Sequence, residues 1–168
     1  MDTCSHVGED IARKRRLLLT DVVGGLDSMH IHNRATEIVV LVKGSSLHTG
    51  FVMEDGDNAP VLAQIGLYQA VVRPQGAIHY EFNDNCEEAV FVAALGSEDP
   101  GVSRISQNYF IEDAALIHAA LGYPDFISPE NITAFAHTIP LAFALGAQAC
   151  LKRCGITYNA TMNGISSL

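Results

Sequence analysis

The sequence predicts a mainly β fold: one antiparallel β-barrel or jelly roll with a helical C-terminal extension. Three observations predict it. Short apolar, β-branched segments recur up to about residue 106, separated by Gly, Pro, Asn and Asp, at the spacing of an antiparallel barrel or sandwich. Beyond that point the composition shifts to helix-forming residues with capping signals. The chain has 168 residues, 48% hydrophobic and 17% charged, which suits a single domain with a well-buried core. The expected division is an N-terminal segment 1–21, a barrel 22–106, and a helical extension 107–168 that packs on the barrel or on a neighbouring subunit.

Leu17–Val23 reads as a first strand. Glu37–Val42 and Leu47–Met53 are apolar and β-branched, and Lys43-Gly44-Ser45-Ser46 joins them as a hairpin connection. A polar turn, Glu54 to Pro60, precedes four short strands: Val61–Ile65, Tyr68–Arg73, Ala77–Phe82 and Glu88–Leu95. Val102–Ser106 reads as a last edge strand. Ile111–Leu121 is built from helix formers and is stopped by Gly122. Ser128 as N-cap with Pro129 at the first position starts a second helix, and a third runs from about Leu141 to Arg153, ending at Gly155.

The formal net charge of −9 is a poor match for nucleic acid or an anionic membrane. The one basic run, Arg13-Lys14-Arg15-Arg16, has no aromatic interleaving and reads as a solvated terminal segment. No apolar run approaches the ~20 residues that span a bilayer. The opening Met1 to Asp10 is acidic and polar, unlike a secretory signal, so a cytoplasmic location is expected if Met1 is the true start. Of Cys4, Cys86, Cys150 and Cys154, the last two are one helical turn apart, which suits a bridge or a soft metal site; in a cytosolic chain, unpaired thiols are the expectation, and in a secreted one, bridges.

The chemistry concentrates in His30-Ile31-His32-Asn33-Arg34-Ala35-Thr36-Glu37 and in Pro74-Gln75-Gly76-Ala77-Ile78-His79. Side chains alternate along a strand, so His30 and His32 share a face. A short turn returns Glu37 on the next strand, and the Pro-x-Gly turn presents His79 on another. Three imidazoles and a carboxylate suit a divalent transition metal with positions left open for water or substrate. These ligand types leave Mn²⁺, Fe²⁺, Co²⁺, Ni²⁺ and Zn²⁺ all eligible. His6, His48, His118 and His137 lack partners at ligand spacing, and Arg34 reads as half of an ion pair on the rim.

The full pattern is Gly24-x₅-His30-x-His32-x₄-Glu37-x₆-Gly44 followed by Pro74-x-Gly76-x₂-His79-x₃-Asn83. It resembles the two signature motifs of the cupin superfamily. The phrases His-Asn-Arg-Ala-Thr-Glu-Ile and Pro-Gln-Gly-Ala-Ile-His-Tyr-Glu-Phe-Asn resemble the germin-like branch. The stretches 86–102 and 150–155 are similar to the spherulin-like proteins of fungi and slime moulds. The resemblance spans roughly residues 22–156. It implies a metal bound by His30, His32, Glu37 and His79, manganese first. It further implies homo-oligomers (dimers, trimers or larger) joined through the helices, and an extracellular location. Tyr68 departs from the pattern, standing where the motif usually has glycine.

The resemblance also places Asp27 and Glu81 where oxalate-oxidising members carry amide side chains. An ionised carboxylate cannot donate a hydrogen bond to oxalate and repels the dianion, which argues against oxalate oxidation. Glu81, two residues from His79 and on its face, is the expected general base, and Asp27 a secondary acid/base or orienting group. Asn83 is expected to secure a turn. The first functional expectation is a metal-dependent enzyme acting on a small oxygenated organic molecule by Lewis-acid and acid/base chemistry, of lyase, dehydratase or isomerase type. The alternatives are a germin-like manganese oxidoreductase (superoxide dismutase or small-acid oxidase) and a non-catalytic, oligomeric, spherulin-like structural protein.

Overall fold

The computed structural model describes residues 16–21 (backbone), 24–55, 59–140 and 142–156. Among the described residues ten strands are formed: β1 Arg16–Asp21, β2 Gly25–Ile31, β3 Glu37–Lys43, β4 Ser46–Val52, β5 Val61–Gly66, β6 Ala70–Arg73, β7 Ile78–Phe82, β8 Ala89–Leu95, β9 Ser103–Arg104 and β10 Phe143–Leu145. They build two antiparallel sheets. One has the order β1-β8-β3-β6; the other has the order β10-β2-β7-β4-β5, with β9 also pairing with β2. Period-two alternation decides what lies between the sheets. In β3, Val39 and Leu41 point inward; in β8, Ala89, Phe91 and Ala93 do, and with Leu47 and Ile65 they form one apolar cluster.

Turns follow the residue chemistry. Gly44, which closes β3, has φ +101°, a value that strains any residue with a Cβ. Tyr68 has φ +63° in the β5–β6 turn, where its backbone N–H donates to Leu41 O at 2.8 Å. The glycine expected there is the residue this conformation favours, so the departure noted in sequence is held with local strain.

Between residues 105 and 153 lie four short helices: α1 Ile105–Phe110, α2 Ala114–Ala120, α3 Pro129–Ala136 and α4 Gln148–Arg153. Asp113 caps α2 by accepting from Ala115 N and Leu116 N, and Ser128 caps α3 ahead of Pro129. Two expectations are corrected. The stretch expected to form an edge strand to Ser106 pairs only at Ser103–Arg104 and then turns into α1. The expected third helix is a strand and a shorter helix: β10 pairs with the edge of β2, and only Gln148–Arg153 is helical. Edge pairing wins because Gly146 lets the chain approach closely. Its N–H donates to Gly24 O at 2.6 Å, and a Cβ there would collide with the Phe82 ring.

The cysteines also differ from expectation. Cys86 and Cys154 form a disulfide across 68 residues, while Cys150 is free and buried. Cys150 and Cys154 are therefore not bridged to each other. The helix directs Cys150 inward toward Asn83 O, and Cys154 reaches the β7–β8 turn. Arg153 pairs with Asp84 at 2.8 Å beside it, so α4 is fastened to that turn twice. Cys4, His6 and most of the basic run lie outside the described residues.

Candidate metal centre

His30, His32, Glu37 and His79 come together as the spacing predicts. One ligand atom from each lies within 4.8 Å of all the others. Both sheets contribute. β2 and β7 present His30 and His79 as cross-strand partners, and β3 presents Glu37 from the opposite sheet. The ring centroids of His30 and His79 are 4.2 Å apart, and those of His32 and His79 are 5.4 Å apart.

Each imidazole is oriented by its backbone. Nδ1 of His30 donates to Ser28 O at 2.8 Å, that of His32 to Gly101 O at 2.7 Å, and that of His79 to Ala77 O at 2.8 Å. These bonds fix the tautomer and leave every Nε2 as a lone-pair donor, the usual preparation of a histidine for a metal. The loop bearing Gly101 is held in turn by Arg34, whose Nε donates to Asp99 O and whose Nη2 pairs with Asp99 at 2.8 Å. Arg34 is thus the rim ion pair that the sequence suggested.

The electrostatics agree with metal ligation. Burial lowers the His30 pKa to about 3, aided by the charges of its neighbours, so the ring is neutral at physiological pH. Burial alone would raise Glu37, but His79, Arg73 and His32 around it bring its carboxyl below the ordinary value. Glu37 Oε2 and His79 Nε2 are 3.0 Å apart, and neither has a hydrogen-bond partner among the described residues. Two buried polar atoms left facing each other in this way, in a set of three nitrogens and a carboxylate, fit a divalent transition ion.

Asp27 and Glu81 also face this space. They are cross-strand partners on β2 and β7, and with His30 they form a second set whose ligand atoms lie within 4.8 Å. Strict alternation would put Asp27 and His30, three residues apart, on opposite faces. A register shift between them in β2 turns both inward. Burial raises the Asp27 pKa, partly offset by Arg104. Arg104 of β9 pairs with Asp27 Oδ1.

Sequence reasoning missed Arg73, Arg104 and Thr49. Arg73 is 1% exposed, is the cross-strand partner of Glu37, and reaches Glu81 Oε1 with Nη2 at 2.5 Å. Its Nη2 also donates to Thr49 Oγ1, and that hydroxyl donates to Tyr80 O at 2.8 Å. Two buried carboxylates on facing strands demand a counter-charge, and Arg73 lies on the inward alternation; this was the available signal. Asn83 secures the β7–β8 turn, donating to Glu87 O at 2.8 Å and accepting from Asn85 N at 3.1 Å.

A family model described as Cupin matches residues 17–117. Over 134 residues the chain is 37% identical to Spherulin-1A of Physarum polycephalum, covering 79% of this chain and 52% of that protein. It is 40% identical over 86 residues to the putative germin-like protein 2-1 of Oryza sativa subsp. japonica, covering 51% of this chain and 39% of that one. The chain spans about half the length, or less, of these curated relatives. In fold it is similar to an oxalate oxidase solved in complex with glycolate, with a TM-score of 0.65 and 24% identity, covering 75% of this chain and 63% of that one.

Proposed function

The chain belongs to the cupin family, and from that premise we propose a metal-dependent enzyme acting on a small oxygenated organic molecule by Lewis-acid and acid/base chemistry, of lyase, dehydratase or isomerase type. One observation carries the reading. Three histidines, each held through Nδ1 by a backbone carbonyl, converge with Glu37, which lies 3.0 Å from His79 Nε2 and 3.7 Å from His32 Nε2, and a further carboxylate pair stands beside them. A divalent transition ion on His30, His32, Glu37 and His79, manganese before iron, nickel, cobalt or zinc, supplies Lewis acidity toward a substrate oxygen when bound. Glu81, held by Arg73, accepts and returns the substrate proton. Asp27, paired with Arg104, orients the substrate or serves as a second acid/base. Carboxylates at these two positions weigh against oxalate as substrate.

Elemental analysis of the purified protein tests the centre. About one ion per chain, lost in His30→Ala, supports it; no ion in either, even after loading, overturns it. With the metal retained, Glu81→Gln is expected to lose about 100-fold or more in turnover, the usual scale of general acid–base catalysis. The Arg73–Glu81 pair favours one second reading, a germin-like manganese oxidoreductase, because redox turnover needs no free carboxylate base. Superoxide dismutation that survives in Glu81→Gln would select it.

Two further features belong to this reading. The Cys86–Cys154 disulfide supports an oxidising, extracellular compartment over the cytoplasm. Exposed Ile111, Leu116 and Phe126 around α1–α3 support a homo-oligomer that covers them, to be checked by sedimentation. Among the described residues, no helix is long and apolar enough to cross a membrane.

A further inference from the structure

Two sets of ligand atoms share His30. One is the centre itself, in which His32 is half-buried; the other is Asp27, His30 and Glu81, close-set within the same 4.8 Å and buried throughout. A carboxylate beside a divalent ion ordinarily binds it. If Glu81 did so, the ion would lose a position that substrate needs, and Glu81 would no longer be free to carry a proton. What separates Glu81 from Glu37 is the grip of Arg73. The guanidinium holds Glu81 Oε1 at 2.5 Å, whereas Nη1 stays 4.0 Å from Glu37 Oε2. Thr49, the cross-strand partner of Glu81, fixes the same Nη2 from the other side. The arrangement is costly: Arg73 is fully buried, and its Nε and Nη1 have no hydrogen-bond partner among the described residues. An apolar pair of similar volume would serve the fold at least as well. Asp27 is restrained likewise by Arg104, which also reaches Ser28 O and Ala142 O.

We propose that Arg73 is a positioning residue that holds Glu81 off the metal, so that the ion is bound by His30, His32, Glu37 and His79 alone and keeps positions open for substrate. This rests on the metal-centre reading above. Arginine suits this role because its fork grips a carboxylate in fixed geometry and never loses its charge.

The test is solvent-proton relaxation and electron paramagnetic resonance of the Mn²⁺-loaded protein. In Arg73→Met, Glu81 swings onto the ion. The inner-sphere water contribution falls by about half, as one of two open positions on a six-coordinate ion fills, and the Mn²⁺ spectrum changes. Glu81→Gln alone keeps the wild-type signal, and Arg73→Met/Glu81→Gln restores it. Unchanged relaxation in an Mn²⁺-bound Arg73→Met protein, or no restoration in the double variant, overturns the inference while leaving the centre intact. Failure of the wild-type protein to take up Mn²⁺ removes the inference and the metal reading together. If Arg73→Met does not fold without metal, Mn²⁺ is expected to rescue it through the new ligand. A variant that stays unfolded with Mn²⁺, where the double variant folds and binds, refutes the proposal.

Discussion

Along β3, Val39 and Leu41 face an apolar cluster while Glu37, at the strand's start, faces the candidate metal centre; along β4, Leu47 faces the cluster and Thr49 reaches Arg73 beside the candidate centre. The same strands and the same alternation thus serve two interiors. At one end, burial of Phe91, Leu41, Leu47 and Val39 is stabilising through removal of apolar surface from water. At the other, Asp27, His30, Glu37, Arg73, His79 and Glu81 are just as buried, and Glu37 Oε2, His79 Nε2 and two nitrogens of Arg73 lack hydrogen-bond partners among the described residues. That end costs free energy until something binds it. Stability and function are therefore separable by position along a strand, and variants at the two ends should fail in different ways.

The largest separation is expected from Phe91→Ala. Deleting a buried aromatic ring removes about 3–5 kcal/mol of stability. Because Phe91 belongs to the apolar cluster and not to the proposed ligand set, Mn²⁺ stoichiometry in the folded fraction should stay at the wild-type value. Urea unfolding beside elemental analysis checks this, and loss of metal in the folded fraction would break the comparison. The disulfide belongs with the apolar end, since it fastens α4 to the turn between β7 and β8. Closing 68 residues is worth about 4 kcal/mol by chain-entropy reasoning. Cys86→Ser/Cys154→Ser should lower the unfolding midpoint accordingly, again without loss of metal.

Acid should act on the other end. His30 is held neutral when folded, with a pKa of about 3, against an ordinary value of 6.5. Below pH 6.5 the unfolded chain takes up a proton that the folded chain refuses. Stability therefore falls as pH falls from about 6.5 toward 3. Asp27, raised by burial, works the opposite way, because the folded chain accepts its proton more readily. Taken alone, the His30 shift from 6.5 to about 3 is worth a loss on the order of 5 kcal/mol in the metal-free protein, at about 1.4 kcal/mol per tenfold change in proton affinity, and Asp27 offsets part of it. Thermal unfolding across that range should show a slope that Phe91→Ala keeps and His30→Gln flattens.

The convergence of His30, His32, Glu37 and His79 was legible because motif spacing and period two point the same way, and the three backbone carbonyls only refine what the spacing already implied. Asp27 was reachable by resemblance alone; nothing in the letters announces the bulge that brings it to the face of His30. Arg73 was hidden for a different reason. A cation at a strand end before proline reads as solvent-exposed, and its burial follows from two carboxylates that meet only once the sheets stack. The β10 strand was misread because Leu141–Arg153 has helix-like composition, while the deciding contact, Gly146 against Gly24 and Phe82, is tertiary. The cysteine pairing was open in sequence, where unpaired thiols were expected of a cytosolic chain and bridges of a secreted one; the partner of Cys154 is Cys86, 68 residues away, and only the packing of α4 on the β7–β8 turn brings the two together.

The smallest effect expected lies in the helical extension. Asp113 accepts from Ala115 N at 3.0 Å and from Leu116 N at 3.1 Å, satisfying two amides that the first turn of α2 would otherwise leave open. Asp113→Ala should cost about 1 kcal/mol. If α2 folds with the barrel as one cooperative unit, that cost appears in full in the global unfolding midpoint, because Ile117 of α2 is buried and α2 packs against α3. If the extension opens by itself, the global midpoint stays put and only the amides of α2 exchange faster with deuterium. Asn at the same position keeps a capping oxygen and should recover most of the loss, which separates capping from any role of the charge. Metal uptake should be identical in all three proteins, since none of the proposed ligands lies on α2.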